Sequence, residues 1–123
     1  MNYNEWTWKY FAAAPGAGEF APGRGVSRGA AGSRQGGTWI QFDLAWRSGG
    51  GPAAIEAARF LAFACPHTIA VAAWVAERAA GRGPDPTLPE PLAAIAERFA
   101  VPVPKLGRLL VVEDAWAAAV AGA

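Results

Sequence analysis

The chain has 123 residues, with eleven Lys and Arg against ten Asp and Glu and a formal charge of +1. This balance gives no electrostatic reason to expect nucleic acid or a membrane surface as a partner, and a single cysteine excludes an internal disulfide. The length predicts a single domain over residues 1–123. Because no apolar run is long enough to span a bilayer and no secretory signal is evident, we expect a cytoplasmic protein.

The N-terminal residues predict a short helix over 2–14. Tyr3 precedes Trp6 by three residues, and Tyr10 follows Trp6 by four. Side chains at these spacings share one face of a helix. The helix is expected to stop at the Pro-Gly pair that follows it.

Residues 15–37 are rich in glycine and predict a loop, in which Val26 could start a short edge strand of weakly defined register. The phosphate-loop pattern is absent. Glycines near Arg24, Arg28 and Arg34 leave open an anion-binding nest of backbone amides, although a flexible surface loop is the favoured interpretation.

Two strands are predicted in the middle of the chain. Residues 39–46 alternate between apolar and other side chains, which is typical of a half-buried strand. The apolar face consists of Ile40, Phe42, Leu44 and Trp46, opposite Gln41, Asp43 and Ala45. After a Gly-rich turn over 48–52, residues 55–64 predict the hairpin partner, although their alanine content also permits a helix.

The second half predicts helices. Residues 66–80 begin with a proline in the first turn and are apolar almost all round, so the first three turns are expected to be buried. Helices are also predicted over 90–99 and 105–121, with an extended connector over 101–104, where prolines alternate with valines. Strands followed by helices indicate an α+β fold, with helices on one face of an antiparallel sheet.

Cys65 and His67, the only cysteine and histidine, lie at the start of the predicted helix at Pro66. A helix N-terminus stabilises a thiolate, so Cys65 suits a nucleophile or a metal ligand. The alternative is a small hydrophobic side chain packed in the core.

His67 is a weaker metal-ligand candidate, because Cys65 and His67 supply two ligands where zinc needs four, or three and a water. A capping or surface role is the alternative for this histidine. A Cys–His hydrolase pair is disfavoured, because residues two apart on a helix point about 200° away from each other.

Three segments resemble the iron–sulfur cluster scaffold family, of the IscU and NifU N-terminal domain type. They are NYNEWTWKYFAAAPGAGEF at 2–20, IEAARFLAFACPHTIAVAAWVAERAAGR at 55–82 and VPVPKLGRLLVVEDAWAAAV at 101–120. The anchors are Arg59-Phe60, Cys65, Lys105-Leu106 and Glu113-Asp114-Ala115.

The resemblance implies a three-stranded antiparallel sheet with helices packed on one face. It implies a transient [2Fe–2S] cluster held by three cysteines, with an aspartate and a histidine nearby. It also implies that sulfur comes from a cysteine desulfurase, and that an Hsp70-type chaperone binds a segment which corresponds, in permuted order, to residues 101–105.

The sequence departs from this family at its ligands. Only the central cysteine, Cys65, is retained, and His67 has no counterpart among the family's ligands. The other ligand positions fall on Gln35 or Gly36, on Gly37 or Thr38, and on Gly107-Arg108.

The resulting expectation is a cluster-assembly scaffold-like protein that is not an enzyme and that binds iron, sulfur or a metal through Cys65. A [2Fe–2S] cluster or zinc would then need further ligands from a partner or from a second chain in a homo-oligomer. The alternative is a ligand-poor relative that acts as an interaction or regulatory module of the assembly machinery.

Overall fold

The computed structural model describes residues 3–49 and 51–123 and confirms the α+β fold. Three antiparallel strands form one sheet in the order β1-β2-β3. The elements are α1 Glu5–Ala13, β1 Val26–Ser33, β2 Thr38–Trp46, β3 Ile55–Phe63, α2 Pro66–Glu77, α3 Leu92–Arg98 and α4 Leu106–Ala121, with a 3-10 turn at Val103–Lys105. The predicted start of the first helix, residue 2, lies outside the described residues.

The main core lies between the sheet and the long helices. Ile40, Phe42 and Leu44 of β2 are fully buried, as the alternation predicts. Helix α4 packs on β1 and β2, whereas α2 packs on β3 and α1. The rings of Phe42 and Trp116 meet edge to face with their centroids 5.5 Å apart, which fixes α4 on the sheet.

Helix α2 is buried over its first three turns, as its all-round apolar sequence predicts. Trp74, in its third turn, is fully buried and meets the ring of Phe99. The partner strand at residues 55–63 is confirmed over the helical alternative. The connector over 101–104 is extended only at its start, because a 3-10 turn begins at Val103.

The favoured loop interpretation of residues 15–37 is wrong over Val26–Ser33, which form the eight-residue strand β1. The alternative, an edge strand that starts at Val26, is confirmed. Gly29 shows the physical reason. A Cβ atom on Gly29 would lie 2.0 Å from the backbone nitrogen of Ala119 in α4, so only glycine lets the helix approach this strand so closely. Gly29 therefore has a packing role, although the glycine-rich composition suggests a flexible loop.

The half-buried character predicted for β2 is also wrong, because its second face is covered. Asp43 is 1% exposed and Gln41 is 9% exposed. Residues 16–20 cross this face: the Phe60 amide donates to the Gly16 carbonyl at 2.9 Å, and the Phe20 amide donates to the Asp43 carboxylate at 2.9 Å. A segment distant in sequence thus buries the polar side of the strand.

Two of the three arginines in the proposed anion nest are engaged within the chain. Arg28 donates to both carboxylate oxygens of Asp43, at 2.7 and 2.8 Å. The guanidinium of Arg34 stacks over the ring of Trp39, 5.1 Å from its centroid. These contacts give Arg28 and Arg34 structural roles, whereas the anion-binding nest of backbone amides stays a prediction.

Candidate functional site

One end of the sheet brings together the β1–β2 turn (residues 34–37), the β3–α2 junction and the first turn of α4. The strand register pairs Trp39 with Phe63, which places the turn beside the end of β3. Val111, near the start of α4, lies beside Gly32, because a Cβ atom on that glycine would be 2.8 Å from the valine side chain. We call this region the thiol end. It contains every position at which the family resemblance places a ligand.

Cys65 is the N-cap residue of α2, with extended backbone at φ −74° and ψ 162°. Pro66 begins the helix after it, because a proline in the first turn sacrifices no intrahelical hydrogen bond. The sulfur lies 3.3 Å from the hydroxyl oxygen of Thr68, one helical turn onward. Cys65 is only partly buried.

The surroundings of Cys65 favour the thiolate. Burial raises the pKa of the thiol, but hydrogen bonding from Thr68 and from the guanidinium of Arg108, together with the positive charge of Arg108, outweighs burial. The pKa of Cys65 is therefore lower than that of an ordinary cysteine. A lowered pKa is typical of cysteines that react as nucleophiles and not of inert buried ones.

His67 does not have the capping or surface role that the sequence suggests as its alternative. His67 is buried, with only 2% of its surface exposed. The ring of Tyr3 packs edge to face against the imidazole, with the ring centroids 4.7 Å apart. Burial, followed by the nearby charges of Lys105 and Arg108, lowers the pKa of His67. The ring is therefore neutral at pH 7, and its Nδ1 atom has no hydrogen-bond partner among the described residues.

The described residues do not supply the ligands of a cluster within one chain. No group of three or more His, Cys, Asp or Glu side chains is arranged there to hold a metal ion. Cys65 and His67 are close in sequence, but the sulfur contacts Thr68 whereas the imidazole ring packs on Tyr3. A [2Fe–2S] cluster needs four protein ligands, so this arrangement does not fit one held by a single chain.

Sequence reasoning misses two residues that act on the pKa of the Cys65 thiol. The spacing Cys-x-x-Thr signals Thr68, because residue N3 of a helix can reach back to the N-cap residue. Arg108 has no local signal, since 43 positions separate it from Cys65 in the chain. It is found only when α4 is placed against the sheet, although the resemblance already puts a ligand at this position.

Apolar side chains are exposed on and around the thiol end. Phe63, two residues before Cys65, is 51% exposed, and Leu106 and Leu110 of α4 are 38% and 50% exposed. A groove of about 310 Å³ runs between α3 and the start of α4. Its walls are almost entirely apolar and consist of Leu92, Ala93, Ala96, Leu106, Gly107, Leu109 and Leu110.

The fold is similar to that of a protein described as a proposed iron–sulfur cluster assembly scaffold for the SUF system, from the thermophilic Fervidobacterium islandicum AW-1. The crystal structure of that protein superposes with a TM-score of 0.61 at 13% sequence identity, over 96% of each chain. No family model and no curated protein sequence matches the chain. The comparison establishes a scaffold-like fold. In the described residues, no helix is long and apolar enough to cross a membrane.

Proposed function

We propose that this protein serves iron–sulfur cluster assembly as a carrier in which Cys65 accepts sulfur as a persulfide. The observation that carries the proposal is the Cys65 thiol, hydrogen-bonded by Thr68 and acted on by the guanidinium of Arg108, at the open end of a scaffold-like sheet. The similarity to a cluster-assembly scaffold supports the same role. Nothing in this chemistry requires turnover, so the protein is proposed as a carrier and not as an enzyme.

The sulfur transfer balances without an added oxidant or reductant. The Cys65 thiolate attacks the terminal sulfur of a persulfide on the donor protein. A new sulfur–sulfur bond forms on Cys65, the donor's own sulfur–sulfur bond breaks, and the electron pair leaves on the donor thiolate. A cysteine desulfurase, which carries such a persulfide, is the proposed donor.

Cluster or zinc binding is proposed only with ligands from outside the chain. One accessible thiol per chain contributes one thiolate, and two chains together contribute two. The remaining ligands would come from a partner protein or from other groups of a homo-oligomer. His67 is a weak candidate, because its lowered pKa leaves it neutral but its burial keeps it away from solvent.

A second candidate is an interaction module of the assembly machinery that carries no sulfur. The exposed apolar side chains Phe63, Leu106 and Leu110 favour it, because scaffold partners such as the desulfurase would bury such a surface. The segment 101–105, where Val103 is 79% exposed, is the corresponding site for an Hsp70-type chaperone. In this alternative the protein binds its partners through this apolar surface, and the Cys65 thiol takes no part.

One anaerobic experiment separates the two candidates. The purified chain and its Cys65→Ser variant are incubated with a cysteine desulfurase, cysteine and iron, and then passed over a gel-filtration column. A persulfide on the wild-type chain alone, detected by mass spectrometry, supports the sulfur carrier. Co-elution of both proteins with the desulfurase, without persulfide or cluster absorption, supports the interaction module and overturns the carrier.

A further inference from the structure

We infer that the outer edge of β1 is a self-association surface, through which two copies of this chain pair their β1 strands antiparallel into one continuous sheet. The inference is independent of the sulfur chemistry proposed above, because it rests on backbone groups at the side of the sheet. The contact is two-fold symmetric, so each strand supplies the hydrogen-bond partners of the other.

The chain covers one edge of the sheet and leaves the other open. At β3 the Phe60 amide donates to the Gly16 carbonyl, and the Gly18 amide donates to the Phe60 carbonyl, each at 2.9 Å. Strand β1 forms the opposite edge of the sheet. Among the described residues, no segment pairs with the outer side of β1 between Arg28 and Gly32. This stretch is therefore free to pair with another strand.

Alternate residues of β1 direct their backbone groups to this open side. The Trp46 amide donates to the Gly25 carbonyl at 2.7 Å, which continues the register of β1 and β2 by one residue. Because the backbone groups of a strand point to alternate sides, the odd-numbered residues of β1 bond to β2. The backbone amides and carbonyls of Arg28, Ala30 and Gly32 therefore face outward, and each of these residues is exposed.

The sequence of this edge lacks the features that usually keep strands from associating. Natural edge strands are shielded by lysine, proline, bulges or short length. Strand β1 is eight residues long, contains neither lysine nor proline, and pairs with β2 without a break in register. Its one charged side chain, Arg28, is held by the Asp43 carboxylate of the neighbouring strand. The edge is thus long, regular and unprotected.

Helix α4 leaves room along the same edge. A Cβ atom on Gly122, just after the helix, would lie 3.4 Å from the Arg28 carbonyl oxygen, so the end of the helix comes close to β1. The Gly122 amide nevertheless donates to the Ala118 carbonyl, at 3.2 Å, and not to this oxygen. Ala118 and Gly122 are both small and exposed, so a second strand can approach β1 beside them.

Charge and side-chain size select the register of the pair. A two-fold axis at Ala30 places each Ala30 opposite its copy and each Arg28 opposite Gly32 of the other chain. An axis at Arg28 would instead place two guanidinium groups opposite each other, which is unfavourable for a cross-strand pair. With the axis at Ala30, the long arginine side chain faces a residue without a side chain. This self-complementarity favours a second copy of the chain over an unrelated peptide.

This arrangement keeps the two thiol ends apart. Ser33, the last residue of β1, leads into the turn at the thiol end. Antiparallel pairing places that end of one strand beside the start of the other. The Cys65 residues of the two copies therefore lie at opposite ends of the joined sheet, and this dimer differs from a homo-oligomer that would share cluster ligands.

Sedimentation velocity and backbone amide exchange, measured from micromolar to millimolar protein, test the inference. A reductant is present, so that Cys65 forms no disulfide between chains. We expect a monomer at low concentration and a dimer at high concentration, since a pair of short strands buries little surface. In the dimer, amide exchange should slow at Arg28, Ala30 and Gly32. The Gly29 amide, which faces β2, should be protected at both concentrations.

Variants of Ala30 identify the interface. Ala30→Pro removes an outward amide and leaves the bonds to β2 in place, so it should weaken dimerisation at least about tenfold. Ala30→Lys and Ala30→Glu keep the amide and place like charges opposite each other. Each alone should weaken the dimer about twofold to fivefold, and an equimolar mixture should restore it. These two variants test the same contact if the proline variant does not fold.

Phe63→Ser is the matched control, because Phe63 is exposed at the thiol end and away from β1. The inference is wrong if the wild type stays monomeric up to millimolar concentration, or if a dimer forms without slower exchange at Ala30. It is also wrong if Phe63→Ser dissociates the dimer and Ala30→Pro does not, since the contact would then lie at the thiol end. None of these outcomes bears on sulfur uptake, which the comparison with Cys65→Ser tests separately.

Discussion

The Asp43 carboxylate is held by Arg28 in a bidentate pair, with N–O distances of 2.7 and 2.8 Å, on the sheet face opposite the long helices. Asp43 is 1% exposed, and it also accepts a hydrogen bond from the backbone amide of Phe20. The carboxylate therefore ties residues 16–20 to β1 and β2. This cluster stabilises the sheet that presents the thiol end.

Asp43→Asn should destabilise the protein by about 2 kcal/mol. The hydrogen bonds to a charged carboxylate are lost, and the buried amide that replaces it cannot accept from all of the same donors. Urea unfolding followed by tryptophan fluorescence measures the change. Asp114→Asn is the control, since Asp114 is exposed on α4 and should change stability little. Equal effects of the two substitutions would contradict the structural role of Asp43.

The same carboxylate gives the protein an acid-sensitive stability. Burial raises the pKa of Asp43, but the hydrogen bonds from Arg28, Phe20 and Gln41 and the charge of Arg28 bring it below 3.8. The folded state then releases the proton more readily than the unfolded state. The contribution of Asp43 is fully present above pH 3.8 and is lost as pH falls through the lower, folded-state pKa. In Asp43→Asn the loss of folding stability on acidification should be smaller than in the wild type.

His67 predicts a second and separate pH effect. Its pKa in the folded state lies below 6.5, mainly because of burial, so the unfolded chain binds a proton more readily. Stability should therefore decline as pH falls below 6.5 towards the folded-state pKa. Since His67 is the only histidine, the loss in this window can be assigned to it.

His67→Phe keeps an aromatic ring against Tyr3 and removes the titration. At pH 7 its free energy of unfolding should stay within about 1.5 kcal/mol of the wild type, because the volume is nearly conserved and no hydrogen bond to Nδ1 is lost. Between pH 6.5 and 5 the variant should lose less stability than the wild type. A wild-type stability that is flat over this window would disprove the assignment.

Gly29→Ala tests the contact that brings α4 onto β1. The added methyl group would lie 2.0 Å from the Ala119 nitrogen and 2.3 Å from the Ala118 carbonyl carbon, so helix and strand must separate. We expect the free energy of unfolding to fall by about 1–3 kcal/mol. Gly23→Ala is the control, because a Cβ there meets nothing within 4 Å. If both variants unfold at the same urea concentration, the packing argument fails.

The fold was predictable where the sequence alternates or repeats clearly. The alternation of β2 and the apolar run of α2 indicate their elements correctly. Strand β1 was predictable only in its start at Val26 and not in its length, because glycine is a poor strand former and the close approach of α4 that requires Gly29 is a tertiary effect. The buried polar face of β2 was missed because residues 16–20 that cover it lie far away in sequence.

Of the candidate site, only the position of Cys65 was predictable from the sequence. The position of Cys65 at a helix N-terminus follows from the proline after it, and the structure confirms that position. The burial of His67 depends on Tyr3 and on the start of α4, which no local pattern links to it. The effect of Arg108 on the pKa of the thiol was not predictable for the same reason, since it exists only after α2 and α4 have packed.

Sulfur uptake by Cys65 is the central claim, and intact-mass spectrometry after a single anaerobic turnover tests it most directly. The chain is mixed with a desulfurase preloaded with persulfide and is then separated from it without reductant. We predict that wild-type protein gains the mass of one sulfur atom, that a thiol reductant removes it, and that Cys65→Ser gains nothing. An unmodified wild-type chain, in a mixture where a known acceptor protein is loaded, would contradict the account.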